Sequence, residues 1–391
     1  MHIAVDALLV YGEFSGVQHA IIQQLRALLD FDNDHRYTVL ALRDVPMERY
    51  LGETRRPYTV LRAPVHSGQR LRRLLWEQGA MPAALARAGI DLLYAPGYLT
   101  PLRWRGPSVV FVHDTIALSH PHLCTAGNAL NYRIWLPPSA RHATLVATPS
   151  HASAQDVAAY CRVPAERVRV APLGVTMPPT PTAEAQAAAR ARRGLPAPYL
   201  LAVSTIEPKK NFDSLIRWFT AWKQQGIPHH LVIIGKEGWG MAPFYRALAA
   251  SPYREAIHRP GYVPQQELPA LLAGADLLLM PSHYEGFGLP VLEAMALGVP
   301  VAVSDRGALP ETVGAAGLIL PLRDERWSTA IPSLLQHTER LAAMRAAGIA
   351  WAEAHTWRRT GERLLEIFDA AVDRHRAGPP AGRNSAAARI I

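Results

Sequence analysis

PSHYEGFGLPVLEAMALGVPVAV, residues 281–303, places Glu285 and Glu293 around a glycine-rich turn and a helix start, with seven residues between them. Just upstream, the apolar run LLLM at 277–280 stops at Pro281 and Ser282, the pattern of a buried parallel strand reaching its carboxyl end. Gly286 and Gly288 let the chain turn tightly with no side chain between backbone and ligand. Pro290 suits the first turn of a helix, where its missing N–H leaves no bond unmade. Glu285 therefore precedes the helix and Glu293 lies about one turn inside it. Gly298 and Pro300 close a helix over 289–297, and Val299, Val301 and Val303 open the next strand. Strand, glycine turn and helix together set free backbone N–H groups and a positive helix end at the carboxyl edge of a parallel sheet, where such folds hold phosphate. An ionised carboxylate only accepts hydrogen bonds, so two of them beside an anion site require a ligand that also carries hydroxyls. A nucleotide sugar meets both demands.

Outward from this stretch, apolar β-branched runs alternate with helical patterns, the mark of parallel sheets covered by helices. The first series runs through IAVDALLV, YTVLAL, DLLYA, SVVFVHD and TLVATPS to RVRVAPLGV, ending at Val175. A second follows through YLLAVS, HLVIIG, DLLLMPS and VPVAVS, with helices such as 211–222 and 289–297 between its strands. Between the two series, TMPPTPTAEAQAAARARRGLPAP is rich in Pro and Ala and poor in large apolar residues, as a domain boundary is. The chain thus reads as an α/β protein of two doubly wound, Rossmann-like domains, over 1–175 and 199–350, with a linker at 176–198. A C-terminal helix over 351–375 is expected to pack back on the first domain, and a disordered tail is expected over 376–391. Two such domains facing one another would put their strand ends, and so their ligand loops, across a central cleft.

The 391 residues are enough for two separate cores. Hydrophobic residues at 49% and charged residues at 19% are the proportions of a folded protein. No run of about 18 to 20 uninterrupted apolar residues is present, and the chain opens on a strand pattern rather than on a basic segment and signal core. The expectation is a cytoplasmic protein, with peripheral attachment to the inner membrane face left open. Cys124 and Cys161 form neither a metal motif nor a disulfide framework and read as packing residues in a reducing compartment. A net charge of +9 and a pI near 9.7 ask for an acidic partner. SGQRLRRLLWEQ sets Arg70, Arg72 and Arg73 beside Leu71, Leu74, Leu75 and Trp76 at helical spacing. It fits both the solvated face of a packed helix and contact with an anionic membrane surface. Zinc-finger spacing, an aromatic RNA-binding signature and a long basic tract are all missing, which argues against nucleic acid.

STIEPKKN at 204–211 follows the strand YLLAVS and precedes a helix. Lys209 and Lys210 then stand at a helix N-terminus, where positive charge is unfavourable unless an anion is held there, and Lys210 is assigned to a phosphate. His113, after SVVFV, is placed to donate to a sugar hydroxyl or a backbone group, to act as general base, or to cap the next segment. Gly12 and Gly16 in VYGEFSGVQ occupy the position of a phosphate-binding turn, but G-x-G-x-x-G is incomplete and no acid is suitably placed, which argues against a nicotinamide dinucleotide. GKEGWG at 235–240 lacks P-loop spacing. DND at 32–34 matches the Asp-x-Asp string by which some sugar transferases hold a divalent metal, yet it falls between the first helix and the second strand and reads as a turn. Asp276 reads as the polar start of a strand.

With these residues in view, the chain resembles a retaining glycosyltransferase of the large GT4 family, in its mannosyltransferase-like branch, with the two-domain GT-B fold. VSTIEPKKN and then HRPGYVPQQELPALLAGADLLLMPSHYEGFGLPVLEAMALGVPVAVSD have the family's order and spacing. IAVDALLVYGEFSGVQHA resembles the opening strand and glycine loop, and FVHDTIALSHP a histidine segment of that branch. The resemblance implies an N-terminal domain that binds the acceptor and a C-terminal domain that binds the nucleotide sugar. It implies that Glu285 contacts donor-sugar hydroxyls, that backbone N–H groups around Gly286, Phe287, Gly288 and Leu289 contact sugar and diphosphate, and that Glu293 binds the ribose. Lys210 would neutralise the diphosphate, Gly16 would hold the backbone close to phosphate, His113 would lie near the sugar, and Tyr262 and Val263 would line the base pocket.

Where many relatives carry an arginine some five residues before the lysine, this chain has Ser204 or Thr205, so Lys209 is expected to supply the second positive charge. The resemblance further implies a metal-independent reaction without cofactor, GDP-mannose as donor, and a hydroxyl of a glycan or a polyprenyl-diphosphate-linked oligosaccharide as acceptor in cell-surface polysaccharide synthesis. The leaving phosphate itself would take the acceptor proton, with Glu285 positioning rather than attacking. Three rivals stay open: a sugar-nucleotide epimerase, a phosphorylase on the same fold, and a transferase-like subunit that binds carbohydrate or a partner enzyme without turnover.

Overall fold

The apolar runs form two all-parallel sheets in the computed structural model, which describes residues 1–12 and 16–378. The tail expected over 376–391 lies outside the described residues from 379 onward. In the first sheet β1 (His2–Asp6), β2 (Arg36–Leu42), β3 (Tyr58–Ala63), β4 (Leu92–Ala95), β5 (Ser108–Phe111), β6 (Leu145–Thr148) and β7 (Val168–Val170) take the order β3-β2-β1-β4-β5-β6-β7. In the second, β8 (Tyr199–Val203), β9 (His230–Ile234), β10 (Ile257–Gly261), β11 (Leu277–Met280), β12 (Val301–Ser304) and β13 (Leu318–Leu320) take the order β10-β9-β8-β11-β12-β13. Both sheets therefore reverse direction beside their first strand, between β1 and β4 and between β8 and β11. At that reversal the connecting helices diverge to opposite faces and leave a crevice at the carboxyl ends of the strands.

Central strands are apolar on both faces because helices cover both; β4, β5, β6, β11 and β12 are buried along their whole length. The strands missing from the sequence reading are β3, β10 and β13, all at sheet edges. Each is paired on one side only, so it need not be apolar throughout. Arg259 and Pro260 sit inside β10, and proline is tolerated at an edge where no neighbour needs its N–H.

The segment 176–198 is more structured than its composition suggested. It contains the helix Ala183–Arg192, whose N-cap Thr182 accepts a hydrogen bond from the Ala185 N–H at 3.2 Å. This helix packs on Leu268–Ala273 and buries Ala189, so it belongs to the second domain. The helix Trp357–Ala377 crosses back and lies against Gly16–Phe31 and β5 of the first domain. A Cβ at Gly361 would stand 3.1 Å from that of Ala27, Phe368 packs on Tyr94 at 5.0 Å, and the Thr360 hydroxyl donates to the Pro172 carbonyl at 2.8 Å. Its return passes beside the outgoing chain, where Val175 N–H donates to the His355 carbonyl at 2.9 Å and a Cβ at Gly174 would collide with the Thr356 carbonyl carbon at 2.2 Å.

Asp32 of the DND string is buried in a turn, taking hydrogen bonds from the Tyr37 hydroxyl at 2.5 Å and the Asp34 N–H at 2.9 Å. Among the described residues no cluster of three or more His, Cys, Asp or Glu side chains has the arrangement of a metal site, and no helix is long and apolar enough to cross a membrane. Cys161 is buried in a core and Cys124 half-buried.

Candidate active site

The carboxyl ends of β5, β6, β8, β9, β10 and β11 and the start of the helix Gly16–Phe31 converge on one cleft of about 680 Å3 between the two domains, and all the residues expected to hold or act on the donor line it. The second domain contributes most of them. Gly288 adopts φ 104°, the left-handed region closed to side chains, and starts the helix Leu289–Ala296 with Pro290 in its first turn. That helix points its N-terminus, and hence its free N–H groups and positive dipole end, at the cleft. Phe287 and Leu289 stand on either side of Gly288, with Phe287 buried.

Two hydrogen bonds fasten the lysine turn to the glutamate loop. Asn211 sits at φ 58° just before the helix Phe212–Gln224, and its side-chain amide donates to the Pro281 carbonyl at 3.1 Å. His283 N–H donates to the Lys209 carbonyl at 2.7 Å. Lys210 is thereby set against Glu285, with Nζ 2.5 Å from Oε1 and both side chains about 11% exposed. The Ser282 hydroxyl donates to the same oxygen at 2.7 Å. Burial opposes ionisation of Glu285, but Lys210 and Lys209 outweigh it and hold the carboxyl below its ordinary value. The anion that two lysines need beside a helix start is thus present within the protein. An ammonium carries three donors, so Lys210 can hold Glu285 and still face a phosphate.

Lys209 is also half-buried and lies 3.3 Å from Glu207. Burial alone would push its ammonium down, yet Asp114, Glu285 and Glu207 around it hold it above the ordinary value. Ser204 and Thr205, which carry no charge, line the cleft on the same strand end, and Lys209, Lys210 and Lys236 line it too. Glu293 has a different environment. Burial raises its carboxyl to about 7, and its ion-pair partner among the described residues is His19 Nε2 at 3.9 Å. Burial also depresses the His19 imidazole, so this pair lacks a firm positive partner at neutral pH.

His113 comes from the end of β5, buried between Phe111 and Tyr98 with ring centroids 4.8 and 5.3 Å away. Its Nε2 lies 2.9 Å from the Pro96 carbonyl oxygen, which only accepts, so Nε2 carries the proton and Nδ1 the lone pair. Burial drops its pKa to about 4, which keeps the ring neutral. Gly16 begins the helix Gly16–Phe31 at the cleft with open space where a Cβ would stand. Val263 is buried and Tyr262 exposed at the cleft rim, just beyond β10.

The two domains touch through backbone as well as across solvent. A Cβ on Gly286 would lie 2.0 Å from the His113 carbonyl oxygen and 2.9 Å from Asp114 Cβ. The Ser150 hydroxyl donates to the Gly286 carbonyl at 3.0 Å, and the Glu311 carboxylate takes the His151 and Ala152 N–H groups at 2.7 Å each, capping the helix His151–Cys161 from the opposite domain. Residues the sequence reading passed over include Asp114, Glu207, His19 and Lys236 of GKEGWG, all lining the cleft. Asp114 and Glu207 stand within motifs already singled out, FVHD and TIEPKK, and an acid beside each proposed cation or histidine was the available signal. His19 and Lys236 also stand within quoted stretches, GVQHA and GKEGWG, but His19 has no acid or cation beside it there to mark it.

With this geometry in hand, residues 186–351 match the family described as Glycosyl transferases group 1, and residues 14–177 that described as Glycosyltransferase Family 4. The chain is 29% identical over 283 residues to O-antigen chain mannosyltransferase B of Escherichia coli, covering 71% of this chain and 74% of that protein. It is 30% identical over 314 residues to D-inositol 3-phosphate glycosyltransferase of Nocardia farcinica, covering 75% of this chain and 69% of that one. Among solved structures, Anabaena HepE in complex with UDP and glucose superposes with a TM-score of 0.74 at 20% identity, over 95% of this chain and 100% of that chain. Two facing Rossmann-like domains, a glycine turn at the second domain's strand ends and these matches together make the chain a member of glycosyltransferase family 4 with the GT-B fold.

Proposed function

We propose that the protein transfers a hexose, with retention at the anomeric carbon, from a nucleoside diphosphate donor to a hydroxyl of a glycan or lipid-linked oligosaccharide. One observation carries this reading. Lys210 and Glu285 form a buried pair at the mouth of a glycine turn and a helix N-terminus, so a cation and free N–H groups face the diphosphate while carboxylates face hydroxyls. In the transfer the bond from C1 to the diphosphate oxygen breaks, the acceptor oxygen bonds to C1 on the same face, and its proton passes to the departing phosphate. Lys209, Lys210 and the helix end stabilise the charge on the leaving group, the task a divalent ion would otherwise perform, so no metal is required. Domain closure keeps water from the donor. Glu293 takes the ribose hydroxyls, and Tyr262 and Val263 border the base.

Mannose from GDP-mannose is the preferred donor, supported by the mannosyltransferase named among the relatives. Attachment to the cytoplasmic face of an anionic membrane, for work in cell-surface polysaccharide synthesis, draws support from the first domain's surface. Of the apolar residues in SGQRLRRLLWEQ, only Leu74 and Trp76 turn inward. Leu71 and Leu75 are 70% and 65% exposed, and Leu130 and Ile134 of the helix Ala126–His142 are also exposed. The two helices meet where Arg70 Nη1 donates to Asn128 Oδ1 at 3.3 Å, with Arg72 and Arg133 exposed nearby on the same helices.

The test is thermal stabilisation by GDP, UDP, ADP and dTDP and their sugar conjugates, with and without magnesium. A ligand that binds only the folded state raises Tm by mass action, equivalent to about 2.7 kcal/mol at a hundredfold excess over Kd. A selective shift with GDP and GDP-mannose that ignores magnesium is expected. Absence of any shift at millimolar nucleotide would refute the transferase reading in favour of a subunit without turnover.

A further inference from the structure

The second domain grips one helix of the first, His151–Cys161, by its leading end. The helix's first two N–H groups, on His151 and Ala152, donate to the two oxygens of the Glu311 carboxylate at 2.7 Å each, and the next, on Ser153, donates to Ser150 Oγ at 3.0 Å. Further along, Asp156 Oδ2 accepts from the Tyr284 hydroxyl at 2.5 Å. Negative charge is stabilising at a helix N-terminus, so Glu311 is a cap supplied by the opposite domain.

The gripped end bears on the glycine turn. Three successive carbonyls of that turn have donors. The Ala308 N–H donates to the Glu285 carbonyl at 2.9 Å and the Thr312 hydroxyl to that of Phe287, both from the segment that carries Glu311. The middle carbonyl, of Gly286, takes the Ser150 hydroxyl at 3.0 Å, with the Ser153 hydroxyl 3.3 Å away. Its donors therefore belong to the first domain. A planar trans peptide sets each C=O and the following N–H on opposite edges. Fastening these carbonyls turns the N–H groups of Gly286, Phe287 and Gly288 to the other side, and none of the three has an acceptor among the described residues. Two of these orientations are set within the second domain. That of the Phe287 N–H is set from the first.

Resting on the transferase reading above, we propose that Ser150 and Glu311 are positioning residues for the donor: Ser150 orients the peptide between Gly286 and Phe287 so that its N–H joins those beside it in holding the diphosphate, and Glu311 keeps Ser150 in place. The turn then has its full set of anion donors only while the two domains are closed on each other. A ligand shifts such an equilibrium only by its different affinity for the two states, so the diphosphate draws the domains together and a nucleoside monophosphate does so less.

Calorimetry on the full chain tests this, with GDP against GMP and UDP against UMP. Ser150→Ala and Glu311→Ala should each lower the ratio of diphosphate to monophosphate affinity about tenfold, the loss of one charge-assisted hydrogen bond, while monophosphate affinity stays within about twofold. Retained monophosphate binding also shows that the variants fold; Glu311 is exposed, so its replacement leaves the cores untouched even where loss of the Ser150 cap weakens the helix. Glu311→Gln keeps one acceptor oxygen and should fall between wild type and Glu311→Ala. An unchanged ratio in both alanine variants would overturn the proposal, as would an equal loss for diphosphate and monophosphate, the mark of a purely structural role. Failure of the wild-type chain to bind any of the four nucleotides would overturn the transferase reading and this inference with it.

Discussion

Replacing Lys210 by alanine separates the electrostatic account of the site from a purely steric one. In the folded protein Glu285 has two compensating contacts at one oxygen, Lys210 Nζ at 2.5 Å and the Ser282 hydroxyl at 2.7 Å, with Lys209 as a further positive neighbour. Lys210→Ala leaves a nearly buried carboxylate with a hydroxyl and one more distant ammonium. Breaking a buried pair in this way costs about 3 to 5 kcal/mol, and the remaining contacts place the loss near the lower end, about 3 kcal/mol at pH 8. The pH dependence is the decisive part. Wild-type Glu285 has a carboxyl held below its ordinary 4.5, so its contribution is present above that value and fades as pH falls through the depressed one. In the variant, burial is opposed only by Lys209 and the Ser282 hydroxyl, so the carboxyl titrates above its wild-type value and folding is weakened relative to wild type as pH rises through it. The gap between the two proteins must therefore widen from pH 5 to pH 8, and at pH 5 it should be less than half its value at pH 8. Urea unfolding followed by tryptophan emission measures it, because Trp218, Trp222 and Trp327 pack together in the second domain's core. Lys210→Ala with Glu285→Gln should recover most of the loss. A gap that is equal at both pH values, or a double variant whose loss is the sum of the singles, would refute the reasoning.

Two further outcomes follow from the same cleft. Burial holds the Glu293 carboxyl at about 7, so the neutral form favours folding below the ordinary 4.5 and that contribution is lost as pH rises through about 7; ribose hydroxyls need the ionised form. Nucleotide affinity measured by calorimetry should therefore tighten about tenfold from pH 6 to pH 8, and Glu293→Gln should flatten the slope. Gly286→Ala places a methyl 2.0 Å from the His113 carbonyl oxygen. Transfer activity should fall by orders of magnitude while each domain keeps its unfolding transition, and small-angle scattering should show a more open chain; an active, closed variant would contradict the packing described.

The parts of the structure that were legible in the sequence are those written in one continuous stretch. LLLM, the two glycines and Pro290, all within 277–290, encode strand, turn and helix because each signal acts through local backbone conformation. The edge strands β3, β10 and β13 escaped because a strand paired on one side has no obligation to be apolar, and β10 even carries Pro260. The helix Ala183–Arg192 escaped because an alanine-rich segment flanked by prolines has the composition of a linker, and its seat against Leu268–Ala273 makes it part of a domain.

What no local pattern encodes is the charge state of the two glutamates that stand out in the sequence. Both belong to one loop and helix, and as residue types they are identical. Glu285 meets Lys210, a residue 75 positions earlier, through a turn fastened by Asn211, and is held ionised. Glu293, half-buried with His19 of the other domain as its ion-pair neighbour among the described residues, has its carboxyl raised to about 7. On the proposed reading, one carboxylate is a permanent acceptor beside the reacting sugar, while the other becomes fully charged when ligand hydroxyls replace the water it lost. The same motif supplies both because the fold, by bringing lysines to one and withholding them from the other, divides a constant structural role from a ligand-dependent one.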